Sequence, residues 1–285
     1  MKTTNAIPHR MRKNCFALIG AAALVMLFTY GVSSEKSVFK KQKRSPLPGC
    51  IQIAENLYYD QYEMSRIDWS EYQHWLKRVF HSSDSIITCV QYRHFPIVGI
   101  TQEQARAYSK WRSDRVFENM LVKMKVIDRQ NEENSDNYFT IERFFEGKIP
   151  KKKKVDIVYY PEYSLPTIAE YEQALQYCDS VVRCKPKKYS IIIDENTSDN
   201  KARLYIPIDT TFATFPFRPV FDDVISPLKF IKGNINEWLD EANTIGIGVR
   251  QDVLPNMLTM TINPDDSIHL LTTGFRNVCR WKKWE

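Results

Sequence analysis

The stretch Gly233-Asn234-Ile235-Asn236-Glu237-Trp238 decides the fold expected for this 285-residue chain, together with Gly274-Phe275-Arg276 near the C-terminus. Each string contains a glycine, an aromatic residue and one charged residue. From the residues alone we expect Trp238 to pack in the core, while Glu237 accepts hydrogen bonds from backbone amides of its turn. Arginine can serve several acceptors at once. We therefore expect Arg276 to make a buried ion pair or to donate to backbone carbonyls.

Three earlier blocks lead up to these strings, at Tyr58–Ser65, Phe95–Trp111 and Leu165–Leu175. Taken in order, the five blocks resemble signatures of the formylglycine-generating-enzyme family, also called the sulfatase-modifying-factor family, such as G-N-V-x-E-W, G-F-R and R-L-P-T-E-A-E-W-E-Y-A. The resemblance covers residues 50–280. It implies an α+β domain that is related to the C-type-lectin fold and has little regular secondary structure.

Local patterns predict the elements of this domain. Ile51–Ile53 alternates as a strand does, Leu57–Ser65 is predicted to be a second strand, and Phe95–Thr101 a third. Three helices are predicted from capping residues followed by apolar residues at helical spacing. Their N-caps are Ser65 or Asp68 for the first, Thr101 for the second and Thr167 for the third.

Two segments precede the predicted domain, which covers residues 50–285. In residues 1–33, basic residues are followed by the uncharged, mostly apolar run Cys15–Tyr30. The segment is therefore either a cleaved signal peptide or an N-terminal membrane anchor. Residues 34–49 are polar and basic and are predicted to be a linker. The family resemblance favours export, which places the protein in a bacterial cell envelope, periplasmic or membrane-anchored.

The net charge of +6 is concentrated in the leader and linker. Residues 1–49 carry nine basic residues and one acidic residue, so the remainder has a net charge of −2. A domain so close to neutral gives no electrostatic reason to expect nucleic-acid binding.

Two stretches have no counterpart in the family pattern, roughly residues 115–163 and 179–200, and are predicted to be insertions. The first contains the run Lys151–Lys154. This run is expected to be either a solvated loop or a patch that docks a partner or an anionic surface.

The cysteines decide the expected chemistry. Catalytic members of the family bind copper through a cysteine pair just upstream of G-F-R, since soft thiolates suit Cu(I). Here the interval Leu254–Thr273 contains no cysteine, and Cys279 follows Gly274-Phe275-Arg276 instead. Copper is therefore not expected. Cys178 and Cys184 are either a disulfide, as an exported domain allows, or two unpaired thiols.

The resemblance also implies a calcium site in the first string. Its ligands would be the backbone carbonyls of Gly233 and Ile235 and the carboxylate of Glu237, because oxygen ligands suit a hard cation. The family's asparagine three residues before the glycine is Phe230 here, which removes one side-chain ligand. The remaining motif residues are expected to be structural: Asn234, Trp238, Gly274, Phe275 and Arg276.

The function expected from these observations is that of a pseudoenzyme. Relatives among bacterial gliding-motility and type IX secretion lipoproteins keep the fold without the copper pair. We expect a non-catalytic, exported or membrane-tethered protein that binds or scaffolds other envelope proteins. Two alternatives stay open, a copper-dependent formylglycine-generating oxidase that acts on protein cysteine and a lectin-like ligand binder.

Overall fold

The structure is a computed structural model that describes residues 47–82, 92–130, 134–184, 217–221, 226–248, 257–263 and 267–285. The described residues form a mixed α+β fold in which helices pack against two four-stranded sheets, as the sequence predicts. The predicted leader and most of the predicted linker, residues 1–46, lie outside the described residues. None of the helices in the described part of the chain combines the length and the apolar character that crossing a membrane requires.

The three longest described helices begin at capping residues. The described helices are α1 (Arg66–Phe80), α2 (Gln102–Lys123), α3 (Ile141–Phe145), α4 (Ile168–Cys184) and α5 (Ser267–Thr272). Ser65 and Thr101 form capping boxes with the third residue of α1 and of α2, and Thr167 exchanges hydrogen bonds with Glu170 at the start of α4. These bonds satisfy amide groups that the first turn of a helix leaves without partners. The three predicted helix starts are confirmed, with Ser65 rather than Asp68 as the N-cap of α1.

Eight strands make up the two sheets: β1 (Cys50–Ala54), β2 (Leu57–Asp60), β3 (Tyr159–Ser164), β4 (Asn236–Trp238), β5 (Thr244–Gly246), β6 (Thr259–Thr261), β7 (Thr273–Gly274) and β8 (Val278–Lys283). Sheet one has the order β1-β2-β8-β3 and is antiparallel throughout. Sheet two has the order β6-β5-β4-β7, and its β4–β7 pair is parallel. The β4–β7 pair aligns Glu237 with Gly274, so it brings the two C-terminal strings side by side.

Sheet one lies between two helices because both of its faces are apolar. On one face, Tyr58 and Cys279 pack in one cluster with Phe117 of α2. On the other face, Tyr59 and Val278 pack with α4 residues that include Tyr171 and Leu175. Alternate residues of a strand point to opposite faces, so neighbours such as Tyr58 and Tyr59 enter different clusters.

A second core joins α1, α2 and the G-F-R string. Phe275 lies 5.3 Å, centroid to centroid, from the ring of Tyr108 and 6.2 Å from that of Trp69. Tyr72 and Trp75 of α1 extend the same cluster. Trp69, Tyr72 and Trp75 recur at helical spacing, and they hold α1 against α2.

The predicted strand Phe95–Thr101 is not a strand. Only an isolated bridge between Ser65 and Pro96 forms there, and Ile97 donates a single bond to the carbonyl of Met64. Proline has no backbone N–H, so it cannot donate a hydrogen bond to a neighbouring strand. Gly99, with φ of 76°, then turns the chain into α2.

The predicted insertion at residues 115–163 forms part of the core. It contains the second half of α2, the whole of α3 and most of β3, and β3 pairs along its full length with β8. The predicted insertion at residues 179–200 begins within α4, which ends at Cys184, and the rest of it lies outside the described residues.

Candidate functional site

The turn before β4 is held by Asn234. This residue has φ of 66°, in the left-handed region that asparagine tolerates better than most residues. Its side-chain amide donates to Glu63 Oε2 at 2.6 Å, and its Oδ1 accepts the backbone N–H of Arg218 at 2.8 Å. The next motif residue, Trp238, is buried and donates from Nε1 to the carbonyl of Ile100 at 2.9 Å. Both side chains therefore fix the turn to neighbouring segments.

Gly274 allows the second string to pass close to the chain before α2. A Cβ atom at this position would lie 2.1 Å from the carbonyl oxygen of Ile97, so no larger residue fits. The next residue, Phe275, is fully buried, and its carbonyl accepts the N–H of Met64 at 2.8 Å. This contact sets the direction in which Arg276 enters the interior.

The two strings meet in a buried ion pair. Arg276 Nε lies 2.8 and 2.9 Å from the two carboxylate oxygens of Glu237, and Nη2 lies 2.6 Å from Oε1. The side chains are 0% and 2% exposed. Nη2 also donates to the carbonyl of Lys229 at 2.7 Å. Arg276 therefore makes both an ion pair and a bond to a carbonyl. Glu237, which was expected to accept from backbone amides of its turn, accepts from this guanidinium.

Burial and pairing set the charges at this centre. Burial lowers the pKa of Arg276, but the adjacent Glu237 outweighs burial and the pKa is raised, so the guanidinium stays charged. Burial raises the pKa of the neighbouring Glu63 carboxyl well above its ordinary value, although Arg276 opposes the shift. Glu63 therefore favours its neutral form, and the single positive charge of Arg276 is balanced by Glu237.

A second buried ion pair lies between α2 and sheet one, and sequence reasoning did not identify it. Arg112 Nη1 and Nη2 donate to Asp60 Oδ2 and Oδ1 at 2.5 and 2.8 Å. The Arg112 guanidinium also lies 4.4 Å from the ring centroid of Tyr163. The sequence held a signal, because residue 112 follows the apolar Ala105 by seven positions and so lies on the same face of a helix.

Two thiols adjoin this second pair. The Cys50 thiol donates to Asp60 Oδ1 at 3.3 Å, and burial, followed by the charge of Asp60, raises the Cys50 pKa well above its ordinary value. Burial likewise raises the pKa of Cys279, even though Arg112 opposes the shift. Thiolate is the nucleophilic and metal-binding form of cysteine. Both thiols are therefore held in the protonated form, which is neither nucleophilic nor metal-binding.

The predicted disulfide between Cys178 and Cys184 is not formed in this structure. Cys178 is a free, buried thiol, and burial raises its pKa. Both residues belong to the continuous helix α4. Six residues of helix separate Cα atoms by about 9 Å, and a disulfide needs them closer than about 7 Å. The side chain of Cys184 lies outside the described residues.

The predicted calcium ligands already have neighbours within the protein. A Cβ atom on Gly248 would lie 1.8 Å from the carbonyl oxygen of Ile235 and 2.8 Å from that of Gly233, so the chain at Gly248 already occupies the space in front of both. The Gly233 oxygen accepts the N–H of Ile235 at 2.9 Å, and both oxygens of Glu237 face Arg276. Calcium binding by these residues stays a prediction. Across the described residues, no group of three or more His, Cys, Asp or Glu side chains is placed to hold a metal.

Comparison with known proteins leaves the family open. No protein-family model matches the chain, and no curated protein matches it. Among solved structures, the chain is similar to Treponema denticola variable protein 1, with 14% sequence identity and a TM-score of 0.35 over 79% of this chain and 84% of that one. A likeness at that TM-score does not establish a shared fold.

Proposed function

We propose that this chain is a divergent, non-catalytic relative of the formylglycine-generating enzymes and that it binds or scaffolds partner proteins in a bacterial envelope. The observation that carries the proposal is the Arg276–Glu237 pair. In it, the charged residues of both signature strings satisfy each other out of contact with solvent. Charges used in this way stabilise the domain and do not reach a substrate.

The proposed family relationship is supported by how the strings meet. Asn236 pairs with Thr273 and Glu237 with Gly274, although they are about 37 residues apart in sequence. The Tyr58–Ser65 block joins them through Glu63, which accepts from Asn234, and through Met64, which donates to Phe275. Three of the five blocks that carry the sequence resemblance thus share one buried centre.

The proposed absence of family-type catalysis is supported by the state of the three thiols whose side chains the structure describes. Cysteine oxidation by a copper thiolate site requires deprotonated sulfur. Cys50, Cys178 and Cys279 are all buried, and each has a raised pKa. Cys50 and Cys279 also lie in sheet one, on the face covered by α2, where a protein substrate would have to displace core residues to reach them.

The test is a tagged pull-down of the full-length protein from detergent-solubilised native membranes, read by mass spectrometry. We expect stoichiometric recovery of the same envelope proteins with the wild type and with the Cys50→Ser, Cys178→Ser and Cys279→Ser variants. Recovery of the chain alone, loaded with copper, would overturn the scaffold role.

The oxidase alternative is tested on the same preparations. Cu(I) is titrated into the wild type and into each serine variant, and oxidation of a cysteine-containing peptide is followed by mass spectrometry. We expect no stoichiometric copper binding that depends on these cysteines and no peptide aldehyde. Activity that disappears in one serine variant would establish the oxidase instead.

A further inference from the structure

A basic surface, which we call the lysine patch, lies beyond the end of α2 and is not used by the buried centre. It consists of Lys123, Lys125, Lys148 and Lys151–Lys154, all exposed. Residues 123–129 and 146–156 together hold eight basic and three acidic residues, whereas the chain from residue 50 onwards has a net charge of −2. The patch is therefore a local concentration of charge that the overall composition does not show.

Backbone contacts and buried anchors hold the two segments of the patch together. The N–H of Lys152 donates to the carbonyl of Val126 at 2.7 Å, which joins the lysine run to the turn after α2. Val126 and Ile149 are buried in the same cluster, one beneath each segment. The lysines thus extend from a base that is fixed to the core, and their spacing does not depend on a long free loop.

Only part of the charge is neutralised within the protein. Lys152 pairs with Asp128 at 2.6 Å, and Lys148 pairs with Glu146 at 2.7 Å. Lys151 places its ammonium 4.2 Å from the ring centroid of Phe144. The other lysines form no ion pair with any described residue, and they are Lys123, Lys125, Lys153 and Lys154.

The chemistry of the patch favours a diffuse anionic surface over a structured protein partner. Lysine is a flexible point charge, while arginine, with its planar fork, is enriched at protein interfaces where lysine is depleted. Here seven of the eight basic residues are lysines, and the eighth, Arg129, donates to the side chain of Asn119. Clusters of four to eight basic residues are typical of proteins that bind anionic lipid headgroups. The hollow lined by Lys151–Asp156 is shallow and open, which suits a broad surface more than a single small ligand.

We propose that the lysine patch docks this domain on an anionic phospholipid surface. The attraction is long-ranged and sums over the free lysines, so it orients the domain with the end of α2 towards the lipid. This proposal stands whether or not the domain binds partner proteins.

The test uses the full-length chain reconstituted in nanodiscs of phosphatidylcholine alone or with 30 mol% phosphatidylglycerol. Lysines are acetylated briefly with an N-hydroxysuccinimide ester, and the rate at each residue is read by mass spectrometry. We expect acetylation of Lys153 and Lys154 to slow at least fivefold in the anionic discs and to recover at about 0.5 M salt, where the Debye length falls to a few ångströms. Lys77, exposed on α1, is expected to react equally in both discs.

A matched pair of variants tests the orientation. Lys153→Gln with Lys154→Gln removes two charges from the patch, and Lys77→Gln with Lys232→Gln removes two exposed charges elsewhere. We expect the first variant to lose most of the anionic protection at Lys123 and Lys125, since each lysine at a lipid surface contributes about fivefold. The control variant is expected to keep that protection.

Two results would overturn the proposal. One is equal acetylation of the patch in both kinds of disc. The other is protection by polyglutamate in solution without protection by anionic discs, which would assign the patch to an acidic protein. Because the readout is confined to individual lysines, slower acetylation at Lys153 and Lys154 without a change at Lys77 separates docking of the patch from recruitment of the chain by its basic N-terminal segment.

Discussion

Two of the buried ion pairs, Arg276–Glu237 and Arg112–Asp60, have the same chemistry but different surroundings. Arg276–Glu237 joins two strings of the same sheet and is enclosed, with side chains 0% and 2% exposed. Arg112–Asp60 joins helix α2 to sheet one, and Arg112 keeps 17% of its side chain exposed. An enclosed charge depends on its partner, whereas a partly exposed one retains some hydration. The core therefore requires the Arg276–Glu237 pair, whereas the Arg112–Asp60 pair attaches a helix to the core.

The largest effect is expected when the enclosed pair is broken. Arg276→Met leaves the Glu237 carboxylate buried without a counter-charge, and we expect a loss of about 3–5 kcal/mol in the free energy of unfolding. The measurement is urea denaturation at pH 7. Arg280→Met is the matched control on the neighbouring strand, because Arg280 pairs with Glu170 nearer the surface.

A double variant sharpens this result. Arg276→Met with Glu237→Met replaces the pair by apolar side chains, and we expect it to recover more than half of the loss, as buried pairs replaced by apolar groups commonly do. If the single variant proves as stable as the wild type, the pair is not the element that holds the two strings together.

The next largest effect is expected at a buried carboxyl group that forms no ion pair with any described arginine. Asp114 of α2 accepts the N–H of Ile141 at 2.9 Å, and burial raises its pKa to about 6 from an ordinary 3.8. The neutral form is therefore favoured in the folded state. Its contribution to stability is fully present below about pH 4 and is lost as pH rises through 6, by about 3 kcal/mol.

The variant Asp114→Asn isolates this contribution. Asparagine still accepts from Ile141 but does not ionise, so we expect a smaller fall in stability between pH 4 and pH 7.5 than in the wild type, measured by urea denaturation across that range. Asp136→Asn, at an exposed position, serves as control. The same pH slope in wild type and Asp114→Asn would show that Asp114 ionises freely in the folded protein.

A smaller loss is expected from the partly exposed pair. Arg112→Met should cost about 2 kcal/mol, because Asp60 keeps the N–H of Asn277 and the thiol of Cys50 as donors. Arg106→Met, six residues earlier on the same helix, removes an exposed pair with Asp240 and should cost less than about 1 kcal/mol. Thermal denaturation of both variants measures the difference. Equal losses would contradict the distinction between the two environments.

The smallest effect is expected at the start of α2. Thr101→Ala removes the side chain that accepts the N–H of Gln104, at a cost of about 1 kcal/mol. Thr101→Ser keeps the hydroxyl and should restore most of the stability, as measured by urea denaturation. A loss as large as that of Arg112→Met would mean that the cap also supports contacts between α2 and its neighbours.

Much of the local structure was predictable because its causes are local. Each N-cap lies three residues from the group it bonds, and the buried residues of α1 recur at helical spacing. The strand prediction at Phe95–Thr101 failed because apolar content alone does not supply a pairing partner, and Pro96 lacks a donor. The sequence left a disulfide and two unpaired thiols open for Cys178 and Cys184, because sequence spacing did not reveal that α4 continues through Cys184.

The sequence by itself determined the helix starts and the residues of the two strings that enter the core, since these follow from capping, periodicity and apolar character. The α+β class was expected from the family resemblance. Only the tertiary structure decided which charges meet. Glu237 and Arg276 are 39 residues apart and Asp60 and Arg112 are 52 apart. Pairing over such distances is set by how sheets and helices pack, and a buried charge is stable only where that packing supplies its counter-charge.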